Sequence, residues 1–178
     1  MATVAVPGSD PARDGRRQAA GWPLRAGLDL WPLKGSTVLS RDFTRMIAAG
    51  WGLEPLTDRA GLVAEQLAGQ AVMGCERIHG CPPVRLRLMS DARVLLVAAW
   101  DPVPHIPDPA GTGLEAPRLD MAAALADQWN WRLERQGKTV WCLLDARAAQ
   151  RIGREATRKP PPSRDVLTRV LAGLRALP

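Results

Sequence analysis

Two amides raise the question of chemistry in this chain. Gln66 and Gln70 stand four residues apart in the stretch Leu56–Met73, one turn apart if that stretch is helical. They sit on the edge of the face that such a helix would bury, where a site would be. A glutamine accepts no proton at neutral pH, and its carbonyl oxygen is at best a weak donor to a hard cation. Cys75, His79 and Cys81 form a second group, C-x3-H-x-C, which with Cys142 could ligate Zn2+. That spacing fits no common zinc pattern, and no second close pair is present. Asp101, at the end of an apolar run, is either a turn former or an acceptor facing a ligand. His105 follows in a Pro-rich segment and reads as an exposed residue.

The elements that must position these residues can be read from spacing. Leu56, Ala60, Val63, Leu67 and Ala71 recur at three and four residues and make one apolar stripe. Thr57 or Asp58 is suited to cap the start of this helix. Gln66 and Gln70 lie on one flank of the stripe, and Glu65 points about 100° away from Gln66, toward water. A helix over 37–49 precedes it, with Val38, Phe43, Met46 and Ile47 as its apolar face, a cap from Ser36 or Ser40, and Gly52 as the left-handed stop.

Leu28–Leu33 alternates, with Pro32 confining it to a sheet edge. Val84–Met89 alternates with its arginines toward water, and Val94–Trp100 is continuous enough to be a central strand. Residues 101–113 hold four prolines and two glycines and read as a lid. A short helix over 119–128 follows, then a hairpin of 129–133 and 138–144 turning at 134–137. Residues 1–24 read as a disordered arm, 25–146 as the α/β domain and 147–178 as an extension. The extension has a basic helix over 146–158, three prolines, and an amphipathic helix over 165–177 aligned on Val166, Val170, Leu174 and Leu177.

Composition bounds the partners. The chain has 178 residues, 46% of them hydrophobic, enough for one domain with a core. No apolar run reaches the roughly 18 residues of a membrane helix, and the start lacks the marks of a signal peptide. Residues 146–178 hold eight basic and two acidic side chains, so this tail carries the whole net charge of +6. A neutral core argues against nucleic acid as its partner. Three cysteines without repeated spacing fit a reduced, cytoplasmic setting.

Three stretches together resemble one family. Ala60–Val72 looks like the helix that there reads A-E-L-V-V-S-E-L-V-T-N-A-V. Val94–Pro104 resembles its strand ending in Asp, and Leu125–Trp129 with Gly137–Trp141 resemble its L-A-D-x-W and G-K-T-V-W. The family is the anti-sigma-factor serine-kinase-like ATPases, a branch of the gyrase and histidine-kinase ATPase superfamily abundant in actinobacteria. The resemblance spans about residues 28–145.

It implies an α/β (α+β) two-layer sandwich, a mixed, mostly antiparallel sheet with helices on one face, and ATP held between helices and lid. It puts Gln66 at the catalytic base, Gln70 at the Mg2+ ligand and Asp101 at the adenine amino group. Thr139 falls near the base, and Glu115–Leu119, including Arg118, at the phosphate loop. Both glutamines depart from the family residues, and the loop's glycines are gone. The resemblance therefore implies a degenerate regulator that binds a protein, a sigma factor or an anti-sigma antagonist, with a second copy of the chain as a further candidate partner. The alternative is an active ATP-dependent protein serine kinase with remodelled residues. Mg-ATP is the cofactor that the alternative requires.

Overall fold

A computed structural model describes residues 22–33, 35–76, 78–104 and 116–148. The chain divides into two units, residues 1–147 and 148–178. Residues 1–21 of the expected arm, most of the lid with His105 and Glu115, and all but the first residues of the basic extension lie outside the described residues; the end of the arm is corrected, since Leu24 already begins a strand.

In chain order the elements are β1 (Leu24–Leu30), α1 (Ser36–Gly50), a 3-10 turn (Glu54–Leu56), α2 (Thr57–Cys75), β2 (Val84–Ser90), β3 (Val94–Asp101), α3 (Ala116–Leu125), β4 (Gln128–Glu134) and β5 (Gly137–Asp145). The five strands form one sheet in the order β1-β2-β3-β5-β4. Every pairing is antiparallel, so the expected mixed sheet is corrected to a purely antiparallel one. The class is α+β.

α2 is the centre of the molecule. It packs against α1 on one side, α3 on the other and β2, β3 and β5 beneath. Its stripe of Leu56, Ala60, Val63, Leu67 and Ala71 is fully buried, as the spacing predicts. Opposite it, Val84, Leu86 and Leu88 of β2, Leu95, Val97 and Ala99 of β3, and Val140, Cys142 and Leu144 of β5 make the sheet's inner face. Period-two alternation sends Arg85 and Arg87 outward, also as expected. The apolar run of 94–100 becomes the middle strand, and β1 an edge strand that ends before Pro32.

α1 departs from expectation. It buries Ser40, Thr44 and Ala48, and leaves Val38, Leu39 and Met46 more than half exposed. The cause lies on α2, whose residues in this region are Ala60, Gly61, Ala64 and Ala68, all buried. Two small-residue surfaces let the helix axes approach closely, and the Ser40 hydroxyl lies 3.3 Å from the Ala64 carbonyl oxygen, to which it donates. Turning the bulky side of α1 inward would hold the helices apart and lose that contact. Arg41–Glu65 at 3.5 Å and Arg45–Asp58 at 2.9 Å flank the seam. Glu65 therefore faces α1 rather than open water.

The helix ends are also built differently from the sequence reading. Neither Ser36 nor Ser40 caps α1, and neither Thr57 nor Asp58 caps α2. Ser40 is turned to carbonyls, and the 3-10 turn runs directly into α2, so the Leu56 and Thr57 amides already donate to the Leu53 and Glu54 carbonyls. α1 stops in a Schellman motif: Leu53 N–H donates to the Ala48 carbonyl at 2.9 Å and Gly52 N–H to Ala49 at 3.0 Å, with Gly52 at φ 71°. α3 begins at Ala116, three residues before the expected start, because Pro117 suits a helix's first turn. Its last carbonyl, at Leu125, receives the Arg59 guanidinium, which also pairs with Asp127 at 2.9 Å.

Candidate functional site

β3 and β5 place an acid and a base at one point. Asp101 ends β3 and pairs in register with Lys138, the second residue of β5. Both side chains are fully buried. Lys138 Nζ donates to Asp101 Oδ1 at 3.1 Å and to the Val103 carbonyl at 3.3 Å. Asp101 Oδ1 also accepts from Val103 N–H at 2.9 Å. The pair thus fixes the corner at which the Pro-rich segment leaves the sheet. Gly137, at φ 113°, packs against the same corner, where a Cβ would overlap the Asp101 carbonyl and come 2.8 Å from Pro102 Cα. Only glycine fits there.

Burial of an ion pair is expensive unless further hydrogen bonds satisfy it, and the Val103 amide and carbonyl supply two. Asp101 is therefore committed to groups of its own chain.

On the α2 side, Gln70 is fully buried and Gln66 half-buried. Gln70 is no solvated surface residue. Arg118, in the first turn of α3, lies across this part of α2. Its Nη1 donates to Gln66 Oε1 at 3.4 Å, and its Nε approaches Met73 Sδ at 3.3 Å. A methyl group at Gly69 would come 2.5 Å from the same guanidinium, so the glycine makes room for it. The stretch matched to a phosphate loop is, over 116–119, the first turn of a helix.

Thr139 does not join this group. It pairs with Trp100 and Arg132 in register and so stands on the outer face of the sheet, where its hydroxyl donates to Glu134 Oε1 at 2.6 Å. Lys138 is the residue of β5 that faces Asp101. The inward alternation of Val140, Cys142 and Leu144, counted back two residues, marks Lys138 as inward.

The cysteines resolve into a disulfide between Cys75 and Cys81 and one buried thiol, Cys142. The disulfide joins the end of α2 to the chain entering β2. This replaces the expected trio of reduced thiols and takes both cysteines out of the zinc pattern, while His79 is exposed. Among the described residues no group of three or more His, Cys, Asp or Glu could hold a metal ion. Burial pushes the Cys142 thiol up to about 12, so it stays protonated at neutral pH and makes a poor nucleophile. No described helix is long and apolar enough to cross a membrane.

No family model matches the sequence, and no curated protein matches it.

Proposed function

We propose that the chain is a regulatory protein with an ATPase-like α+β domain of the histidine-kinase type that acts by binding another protein rather than by phosphoryl transfer. The observation that carries this reading is the buried Asp101–Lys138 pair. The carboxylate that the resemblance assigns to an adenine amino group already accepts from an internal ammonium and an internal amide. The residues on α2 support the same reading. Gln66 is no base and accepts from Arg118, and Gln70 keeps an amide oxygen but is one methylene longer than the family's Asn, which does not suit the rigid octahedral geometry of Mg2+. No step through Mg-ATP follows from such a set.

The exposed side of α1 supports a protein partner. Val38, Leu39 and Met46 are 53–63% exposed, and Trp31 and Leu33, just before the helix, 61% and 66%. Apolar side chains gathered on one short stretch, with the polar side of the helix turned inward, suit the docking of an apolar protein surface. A sigma factor or an anti-sigma antagonist is the partner class the resemblance suggests.

The test is phosphoryl transfer from γ-labelled ATP with Mg2+, to the chain itself, to water and to candidate partner proteins. The reading expects no label transfer and no phosphate release above the uncatalysed background. Turnover abolished by Gln66→Ala would establish the kinase instead.

A further inference from the structure

The two long helices end in different ways. Where α1 closes in a Schellman motif, the residue after α2, Glu76, keeps a right-handed backbone at φ −56° and ψ −23°, with no left-handed stop. The last turn of α2 carries no basic residue, and an acidic one follows it at the negative end of the helix dipole. Gly74 weakens the turn from within. The backbone supplies Glu76 N–H to the Val72 carbonyl at 3.1 Å, Ile78 N–H to Cys75 at 2.9 Å and Cys81 N–H to Ile78 at 3.2 Å. The covalent bond between Cys75 and Cys81 closes this end of the helix.

We propose that the Cys75–Cys81 bond is a reversible thiol–disulfide lock on the last turn of α2, opened by a dithiol reductant. The bond is local. Its cysteines are six positions apart. The entropy that a cross-link removes from the unfolded chain grows with the loop it closes, so this one constrains little beyond its own turn. Domains that depend on disulfides use them in place of a core. Here α2 and the sheet supply a core without it. The loop is also reachable: Glu76, Ile78, His79, Gly80 and Pro82 are exposed. Of the two cysteines Cys81 is the more open, at 6% against 1%.

A thiolate entering through this loop attacks the Cys81 sulfur. The S–S bond breaks, and Cys75 leaves as a thiolate that takes up a proton. The second thiol of the reductant then displaces Cys81 from the mixed disulfide. Two electrons and two protons pass to the cysteines, and the dithiol becomes a disulfide. Reduction frees the turn that carries Met73, whose sulfur lies 3.3 Å from Nε of Arg118. The lock thereby acts on the seam between α2 and α3 and leaves the sheet as it is. Cys142 takes no part, since it is buried on β5 against the Ala122 carbonyl of α3. The proposal stands apart from the nucleotide question.

The experiment holds the native full chain in dithiothreitol at fixed ratios of its reduced and oxidised forms. Thiols are counted by alkylation and intact mass, and amide hydrogen exchange is read by mass spectrometry. Oxidised chain is expected to present one thiol once denatured, Cys142, and reduced chain all three cysteines, with the change reversed when the oxidised form of the reagent is restored. Exchange over residues 72–81 is expected to rise about tenfold or more on reduction, while β2, β3 and β5 keep their protection. The double variant Cys75→Ser, Cys81→Ser is expected to exchange at the reduced rate at every ratio. The wild-type titration decides the matter even if that variant fails to fold. The proposal is overturned if the bond resists the dithiol until urea unfolds the chain, which would make it a fixed staple. It is equally overturned if the bond never forms from reduced chain, if reduction leaves exchange over 72–81 unchanged, or if the double variant exchanges at the oxidised rate.

Discussion

The charged floor at the corner where β3 meets β5 and the outer side of α1 invert the usual order in opposite directions. At the floor, a lysine and an aspartate are fully buried. On α1, Val38, Leu39 and Met46 face out while Ser40 and Thr44 are fully buried. Each inversion has its own geometric cause. Strand alternation carries Lys138 inward, and the carboxylate opposite it in register makes that placement tolerable. On α1 a close approach between helices selects small side chains over apolar ones. Burial here follows from what a neighbouring element admits, and hydrophobicity comes second.

The sharpest way to break the comparison is at the charged floor. Lys138→Met leaves a buried carboxylate without its ammonium and is expected to destabilise the chain by about 3–5 kcal/mol in urea unfolding. Adding Asp101→Asn should recover most of that loss, because two neutral side chains avoid burying a charge. If Lys138→Met alone is neutral, the pair contributes little to the fold.

The helix seam is tested next. Ala64→Leu puts a branched side chain where α1 approaches and is expected to cost about 1–3 kcal/mol, by the same unfolding measurement. Thr44→Val should act in the other direction. The Thr44 hydroxyl is buried with no hydrogen-bond partner among the described residues, so replacing it by a methyl group is expected to stabilise by about 1 kcal/mol. A loss of stability would show that the hydroxyl is satisfied in solution.

The smallest stability effect belongs to the exposed side. Leu39→Ser with Met46→Ser is expected to change stability by no more than about 0.5 kcal/mol, while lowering surface hydrophobicity as read by dye binding. A large destabilisation would mean that this side is covered within the chain itself.

Much of the fold was legible in the sequence, for reasons that these regions make plain. The stripe on α2, the middle position of β3 and the closing hairpin each follow from a single period in one segment. The face of α1 did not, because its partner's small residues decided it. The stripe of Ser40, Thr44 and Ala48 at four-residue spacing was the available signal, and hydrophobicity alone passes over it. Motif position selects Thr139, whereas counting back two residues from Val140 selects Lys138. The Cys75–Cys81 bond depends on the path of the chain between α2 and β2, which spacing does not encode. Gln66 and Gln70 share α2 by spacing alone, but Arg118 reaches Gln66 from another element, a contact invisible along the chain.

We propose that the nucleotide chemistry implied by the resemblance is gone because Asp101 is held by Lys138 and the Val103 amide, and Gln66 by Arg118. Calorimetric titration of Mg-ATP into the full chain tests it most directly. The account predicts no saturable heat at millimolar nucleotide, with or without Mg2+. A saturable, one-to-one, Mg2+-dependent isotherm in the micromolar range, weakened by substitution of Gln70, would contradict it.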